Sequence, residues 1–507
     1  KMKKLIVFIF SIVLLGSCNK PGCTDPDAVN YDSSANDEDG TCQYVPSLST
    51  TPLIYDTIAF SVQTGGIISS EGNSQITIKG ICWSNSPNPT VNNDTTVNGF
   101  GLGSFVSNIS NLNYNTTYFF RAYATNSNGT GYGNELSLNI GSFTNIPDAN
   151  FEQALIDLGY DNVIDGKVIT SKIDHIDSLN IYNKSIIDLS GIQDFISLTY
   201  LYCFGNQLTS LDVSQNAALT YLNCNFNQLT SLDVSQNAAL TYLYCFANQL
   251  TSLDVSQNAA LTYLNCNSNQ LTSLDVSQNT ALTYLICNQN QLTSFVSQNA
   301  ALTYLNCNFN QLTSLDVSQN TALTYLRCEG NQLTSLDVSQ NTALTELFCS
   351  INQLTSLDVS QNLNLFRLVC PENNLNNIDV SFNTDLITLS CYSNPYTDLN
   401  VSNNPNLDSL YCGDDSLTSL DVSQNPKLTV LMCNNSLGPL TCLNLKNGNN
   451  TNMTTFVANG NPYLFCIEVD DPSWSTVNWT TSTWPLSFLF NQFNTFSTNC
   501  NYPAGCF

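Results

Sequence analysis

Twelve cysteines stand at Cys203, Cys224, Cys245, Cys266, Cys287, Cys307, Cys328, Cys349, Cys370, Cys391, Cys412 and Cys433, spaced by 21 residues except for 20 between Cys287 and Cys307. Thiols in such a column are open to disulfide formation, metal ligation or burial as small hydrophobes. Their neighbours favour burial. In Tyr200-Leu201-Tyr202-Cys203-Phe204, strand alternation turns Leu201 and Cys203 inward and the three aromatics outward. The column is therefore expected to be free thiols packed in a core.

A second column is acidic: Asp212, Asp233, Asp254, Asp275, Asp316, Asp337, Asp358, Asp379 and Asp421. Carboxylates about 5 Å apart repel by roughly 0.8 kcal/mol in water-like dielectric, which a solvated face tolerates, and they admit cations. Near the start, Asp25, Asp27, Asn30, Asp32, Asp37 and Asp39 offer the hard oxygen ligands calcium takes, with Gly40 for a tight turn, at a spacing unlike the EF-hand. Structural calcium is the one cofactor these residues admit. His175 is the only histidine. It excludes a multi-histidine metal site and is expected to be a structural or surface residue. With no nucleophile elbow, paired-carboxylate motif or phosphate loop, the chain is expected not to be an enzyme.

The outward columns beside the cysteines offer recognition chemistry instead. One is nearly uniform: Tyr200, Tyr221, Tyr242, Tyr263, Tyr284, Tyr304, Tyr325. The next varies through Tyr202, Asn223, Tyr244, Asn265, Ile286, Asn306, Arg327, Phe348 and Val369, and a third through Phe204, Asn225, Phe246, Asn267, Asn288, Asn308, Glu329 and Ser350. Together with Phe226 these aromatics, Ile286 and Arg327 make a candidate ligand-binding face. Variation at outward positions over a constant core is what a recognition surface needs. Stacked tyrosines and asparagines suit a protein partner and also sugar rings; the alternative is that they only pair across strands to stabilise the sheet.

The period demands a particular scaffold. Repeats of this length stack as rungs of a solenoid, each burying its apolar side against its neighbours. Leu198–Ala218 reads LTYLYCFGNQLTSLDVSQNAA. Asn206, Asn227, Asn248, Asn269, Asn290 and Asn310 are expected to form an inner ladder that satisfies backbone groups at the turn leaving the strand. Asn216, Asn237, Asn258, Asn279, Asn299 and Asn320 would form a second. Two extended segments per rung, stacked in parallel at about 4.8 Å, give a rod of about 60 Å over twelve rungs. One rung is short: Gln291–Asn299 lacks a residue, and counting back from Asn299 puts Ser294 at a core position.

Leu198, Leu201, Cys203, Asn206 and Leu208 spell L-x-x-L-x-C-x-x-N-x-L, and Leu208, Leu211, Val213 and Asn216 nearly repeat it. The unit resembles the nested 21-residue (IRREKO-type) class of bacterial leucine-rich repeats, over residues 198–469. This resemblance implies a parallel-stranded, mainly β solenoid on a cell-surface lipoprotein, with leucine often found where the cysteines stand.

The flanks complete the expected domain order. Lys1, Lys3 and Lys4 precede the apolar run Leu5–Leu15, too short to span a bilayer but suited to a signal peptide over residues 1–18. Leu15-Gly16-Ser17-Cys18 looks like a lipobox, so Cys18 is the expected lipidation site and the membrane anchor of an exported, outer-membrane surface protein. Residues 22–44 form an acidic module too small to own a core, which predicts a Cys23–Cys42 disulfide. Residues 46–142 alternate short strands and turns. Leu112–Tyr118 there resembles the stretch opening strand F of fibronectin type III domains, implying a sandwich with Tyr118 as tyrosine corner and Cys82-Trp83 supplying a core aromatic. Residues 146–197 are expected to cap the solenoid: a helix starting at Pro147 with Phe151, Ala154, Leu155 and Leu158 on one face, then irregular rungs with Leu179, Ile181, Ile187 and Leu189 in the core.

At the far end, residues 470–507 are read as a second cap, with Trp474, Trp479 and Trp484 over the last rung. Similar proteins end near Phe496–Cys500, which implies a Cys466–Cys500 disulfide. Cys442 and Cys466 occupy equivalent places on adjacent rungs and offer an alternative pair, and Cys506 has no obvious partner. A net charge of −26 from 39 acidic and 13 basic residues argues against nucleic acid as a partner. The expected function is non-catalytic adhesion or protein-ligand binding by a lipid-anchored rod, with glycan capture for nutrient uptake as the alternative.

Overall fold

A computed structural model describes residues 19–56, 61–413, 416–436, 438–479, 488–489, 494–502 and 506. The leader with Cys18, and Trp484, lie outside the described residues. The chain forms two compact units, Lys1–Phe143 and Thr144–Phe507.

In the first unit, Cys23 and Cys42 are joined by a disulfide and pack with Ala28 as a small core of their own. Two antiparallel sheets follow. One is built on Ser61–Ser70, flanked by Ser47–Thr50, Ile54–Asp56 and Gly103–Ile109; the other is built on Thr116–Asn126, paired with Ile78–Ser84, Gly129–Tyr132 and Leu136–Ile140. Val62, Ile81, Phe120 and Ala122 fill the space between them. Asn113 N–H donates to Tyr118 Oη at 3.2 Å, the closure of a tyrosine corner. Trp83 is only half-buried at the margin, and the fully buried ring is Phe120, so the core aromatic comes from the strand of Tyr118 rather than from Cys82-Trp83.

The second unit opens with the helix Ala149–Asp157, capped by Asp148, whose Oδ1 accepts from the N–H groups of Asn150 and Phe151. Its Oδ2 accepts from Ile187 and Asp188, tying the helix to the first irregular rung. The helix therefore starts two residues later than Pro147 suggested. Phe151, Ala154 and Leu155 are buried, while Leu158 is the C-cap and exposed. Ile187 is also exposed, and Ile186 takes the core position. Left-handed backbone at Asn183 and Ser185 breaks the strand alternation there and shifts it by one residue. His175 is on the surface beside Asp174.

A parallel sheet of fifteen described strands then runs from Ser178–Asn180 to Phe488–Leu489, with Tyr200, Tyr221 and Tyr242 in register and so on down the array. Leucines and ladder cysteines form one continuous core behind it. Of the two extended segments expected per rung, the opposite one is less regular. Among the described residues it forms strands at Ser273–Asp275 with Ser294–Val296, and among Ser419–Asp421, Cys442–Asn444, Cys466–Glu468 and Thr495–Ser497, with isolated bridges at Asp212–Asp233 and Asp358–Asp379.

Both asparagine ladders are present. Asn248 Nδ2 donates to the carbonyls of Cys224 and Cys245, and its Oδ1 accepts from Leu229 N–H, so one side chain stitches two rungs together. On the other side Asn237 Nδ2 donates to Val213 and Asn216 carbonyls. The short rung resolves differently from the backward count. Phe295 pairs in register with Leu274 and packs half-buried against the core, whereas Ser294 is exposed. The missing residue is absorbed afterwards: Ser297 is buried, and its hydroxyl donates to Asn299 and accepts from Asn320.

Candidate ligand-binding face

The ladder cysteines are buried thiols outside any disulfide. Cys203 Sγ lies 3.4 Å from the Asn223 carbonyl of the next rung. Burial pushes these thiols up, to about 12 for Cys224 and Cys266 and well above the ordinary value for Cys203. They are inert core groups, not nucleophiles. Of the seven other described cysteines, six pair as Cys23–Cys42, Cys466–Cys500 and Cys442–Cys506, and Cys82 is a buried thiol in the first unit. Cys506 thus has a partner after all, and the Cys442–Cys466 alternative does not form. Trp479 is buried against Phe456, Trp474 and Phe496 over the final rungs.

The calcium candidates are not gathered. Asp25 accepts from Tyr44 Oη and Asp27 N–H, Asp32 pairs with Lys20, Asp39 accepts from Thr41, and Asn30 bridges Thr41 and Gln43. Among the described residues, the one group at metal-ligand distance is Cys23, Glu38 and Cys42, and its two sulfurs are bonded to each other. The aspartate column has a turn-capping role. Asp233 Oδ1 accepts from Ser235 N–H, and the pattern recurs at Asp212, Asp254, Asp275, Asp316, Asp337, Asp358, Asp379 and Asp421. The Ser235 backbone and hydroxyl hold the Asp233 carboxyl below the usual range. Asn400 makes the same bond to Ser402, so an uncharged acceptor serves equally well.

The first-strand face carries the candidate recognition residues. Its tyrosines stack on one another: ring centroids are 4.9 Å apart for Tyr263–Tyr284, 3.9 Å for Tyr284–Tyr304 and 4.3 Å for Tyr304–Tyr325, all within 8° of parallel. Tyr200 and Tyr221 stack likewise at 4.2 Å, while Tyr242 and Tyr244 lean between them and Tyr263. Where the rings stack, as from Tyr263 to Tyr325, their faces are taken up within the column, whereas Tyr242 is tilted and exposed. Burial among the rings pushes the phenols of Tyr200, Tyr244 and Tyr325 up to about 12, so they stay hydrogen-bond donors. Arg327 lies 5.1 Å from the Phe348 ring and pairs with Glu329 at 2.8 Å; Arg367 pairs with Glu346.

Not every outward position is accessible. Asn223, Asn225, Asn265 and Asn308 are buried, and Asn225 Oδ1 accepts from Phe246 N–H. Ile286, Tyr202 and Phe204 are half-buried. Phe226 belongs to a fourth column that the alternation missed, at the turn two residues after each cysteine. Phe226, Phe309 and Ile351 are 50%, 52% and 45% exposed there, all in left-handed backbone. Gly330 occupies the same column, and a Cβ on it would meet the Phe309 ring at 2.5 Å.

Comparison with known proteins now decides the family. Over 65% of its length the chain matches the functional domain of InlJ from Listeria monocytogenes, which includes a cysteine ladder, at 34% identity with 76% of that chain covered and a TM-score of 0.52. The chain belongs to the leucine-rich repeat family. The internalin InlF from Listeria monocytogenes str. 4b F2365 shares the leucine-rich repeat fold at 24% identity, over 59% of this chain and 89% of that one, with a TM-score of 0.52. No protein-family model and no curated protein matches the chain. No helix among the described residues is long and apolar enough to cross a membrane.

Proposed function

We propose that this leucine-rich repeat chain is a non-catalytic surface protein, anchored through a lipid on Cys18, that binds a protein partner on its first-strand face. The observation that carries the reading is the stacked tyrosine column beside half-buried Tyr202, Tyr244, Arg327 and Phe348. A rigid parallel sheet holds these groups in place before binding, so little ordering cost remains, and aromatic residues and arginine dominate interface energies. Glycan capture has less support, because a sugar ring stacks on an open aromatic face and the stacked run Tyr263–Tyr325 uses its faces internally. Three disulfides fit an oxidising, exported setting. The fibronectin type III-like sandwich serves as a spacer, a reading the tyrosine corner supports.

A pull-down with the full chain tests the face. Replacing Tyr202, Tyr244 and Phe348 together by alanine is expected to abolish capture of the partner with the thermal midpoint nearly unchanged. The control Asp233→Asn, Asp254→Asn, Asp275→Asn keeps the turn acceptors and should keep capture. Loss in the aspartate variant with retention in the aromatic variant would place binding on the other side of the array. Anchoring is tested separately: Cys18→Ala should move the protein from the membrane to the soluble fraction, and persistent membrane association would refute lipidation at Cys18.

A further inference from the structure

Toward the C-terminal end of the same face, beyond the tyrosine stack, the surface opens into a socket of about 300 Å³ lined by Tyr392, Tyr411, Gly413, Met432 and Asn434. The rungs explain it. Tyr411 and Met432 are neighbours in the second column, paired in register. Tyr392, Gly413 and Asn434 are successive members of the third, one residue after Cys391, Cys412 and Cys433. Where other rungs place a side chain, Gly413 places none. A Cβ at that position would stand 2.2 Å from the Asn434 carbonyl oxygen, so the two backbones meet too closely for any other residue. The result is an indentation floored by main chain and walled by two phenol rings, a thioether and an amide.

The lining selects an occupant. Methionine sulfur and aromatic rings favour another aromatic ring. A sugar would need a partner for each hydroxyl, and the wall offers one amide and two phenols. The volume suits a single side chain at the lower end of the range for ligand pockets. Charge selects what surrounds that side chain: the chain carries a net charge of −26, Asp408 immediately precedes the strand of Tyr411, and Glu372 stands in the turn column on the rung before Tyr392. An acidic surround attracts a cationic segment and repels an anionic one.

We propose that this socket is the anchoring subsite of the binding face, and that it receives an aromatic side chain presented by a lysine- or arginine-rich segment of a protein partner. The proposal rests on the protein-binding reading above and adds the place and chemistry of the anchor.

The test uses the full chain and three capped peptides, acetyl-Lys-Trp-Lys-amide, acetyl-Glu-Trp-Glu-amide and acetyl-Lys-Ala-Lys-amide, followed by saturation-transfer NMR and tryptophan fluorescence. The first peptide should bind at least about tenfold more tightly than either control and should weaken as salt is raised. Met432→Trp, which fills the socket, and Tyr411→Ala, which removes a wall, should each abolish that preference. Both lie at the surface of the sheet, and an unchanged far-UV circular dichroism spectrum certifies the fold. Equal binding of all three peptides, unaltered binding by folded Met432→Trp, or stronger competition by N-acetylglucosamine than by the peptide would overturn the proposal. Because Tyr202, Tyr244 and Phe348 lie on other rungs, their triple variant should keep the peptide. A chain that fails with the peptide yet loses its partner in the triple variant would refute the socket and leave the binding face standing.

Discussion

At the residue scale, the cysteine ladder sets the pH range the fold tolerates. Burial raises the thiol values of Cys224, Cys266, Cys307 and Cys433 to about 12, while an unfolded thiol titrates near 8.5. A group whose folded value is raised contributes its stability in full below the unfolded value, and that stability drains away as pH rises towards the folded one. The window is therefore pH 9 to 12, with a slope of up to about 1.4 kcal/mol per pH unit for each buried thiol. The thermal midpoint should fall steeply across it while remaining flat between pH 7 and 8. Ladder thiols should react with a disulfide reagent only on denaturation, without reductant. A midpoint that stays level to pH 10.5, or fast native labelling, would show that the ladder reaches solvent.

At the element scale, the inner asparagine is the joint between rungs. Asn248 bonds two carbonyls and one N–H drawn from two rungs. Asn248→Ala orphans the buried Leu229 N–H, while the Cys224 and Cys245 carbonyls each lose one donor and keep Asn227 and Asn269; a buried group without a partner costs about 1–3 kcal/mol. Chemical denaturation should report a loss of about 1–3 kcal/mol, well above that of an exposed substitution such as Gln249→Ala. The second ladder is less complete. Asn237 and Asn258 donate twice, but their Oδ1 atoms are buried without a partner. In the short rung Ser297 supplies the donor that Asn299 would otherwise lack. The one-residue deletion thus shifts the register so that Ser297 falls opposite Val276, and its hydroxyl serves the ladder there.

At the scale of the whole molecule, the array follows nearest-neighbour logic: each rung touches the one before and the one after. Excising residues 240–260 removes one complete period and joins Ala239 to Leu261, restoring the local sequence seen at Ala260-Leu261. The shortened chain should fold with the same circular dichroism per residue and a thermal midpoint lower by only a few degrees. Collapse to a molten state would show that rung number matters beyond neighbour contacts. The N-terminal end is less forgiving. Phe151, Leu155 and Phe195 close the core there, and an uncapped parallel edge invites pairing with other chains.

The 21-residue period, the inward leucines and cysteines and the two asparagine ladders were legible in the sequence, because strand alternation and repetition belong to a single chain read locally. The Cys23–Cys42 disulfide was legible too, since so short and polar a segment cannot bury a sizeable core. Accessibility was not. Asn223 and Asn265 point outward as alternation requires, yet are buried. The exchange of Ile187 for Ile186 hung on left-handed turns at Asn183 and Ser185, which sequence pattern alone does not mark. The partner of Cys506 depends on which two strand ends meet across 64 residues of chain. The socket at Gly413 arises because residues about 21 apart leave a shared gap: a vacancy has no residue of its own to be read, and only packing in three dimensions creates it.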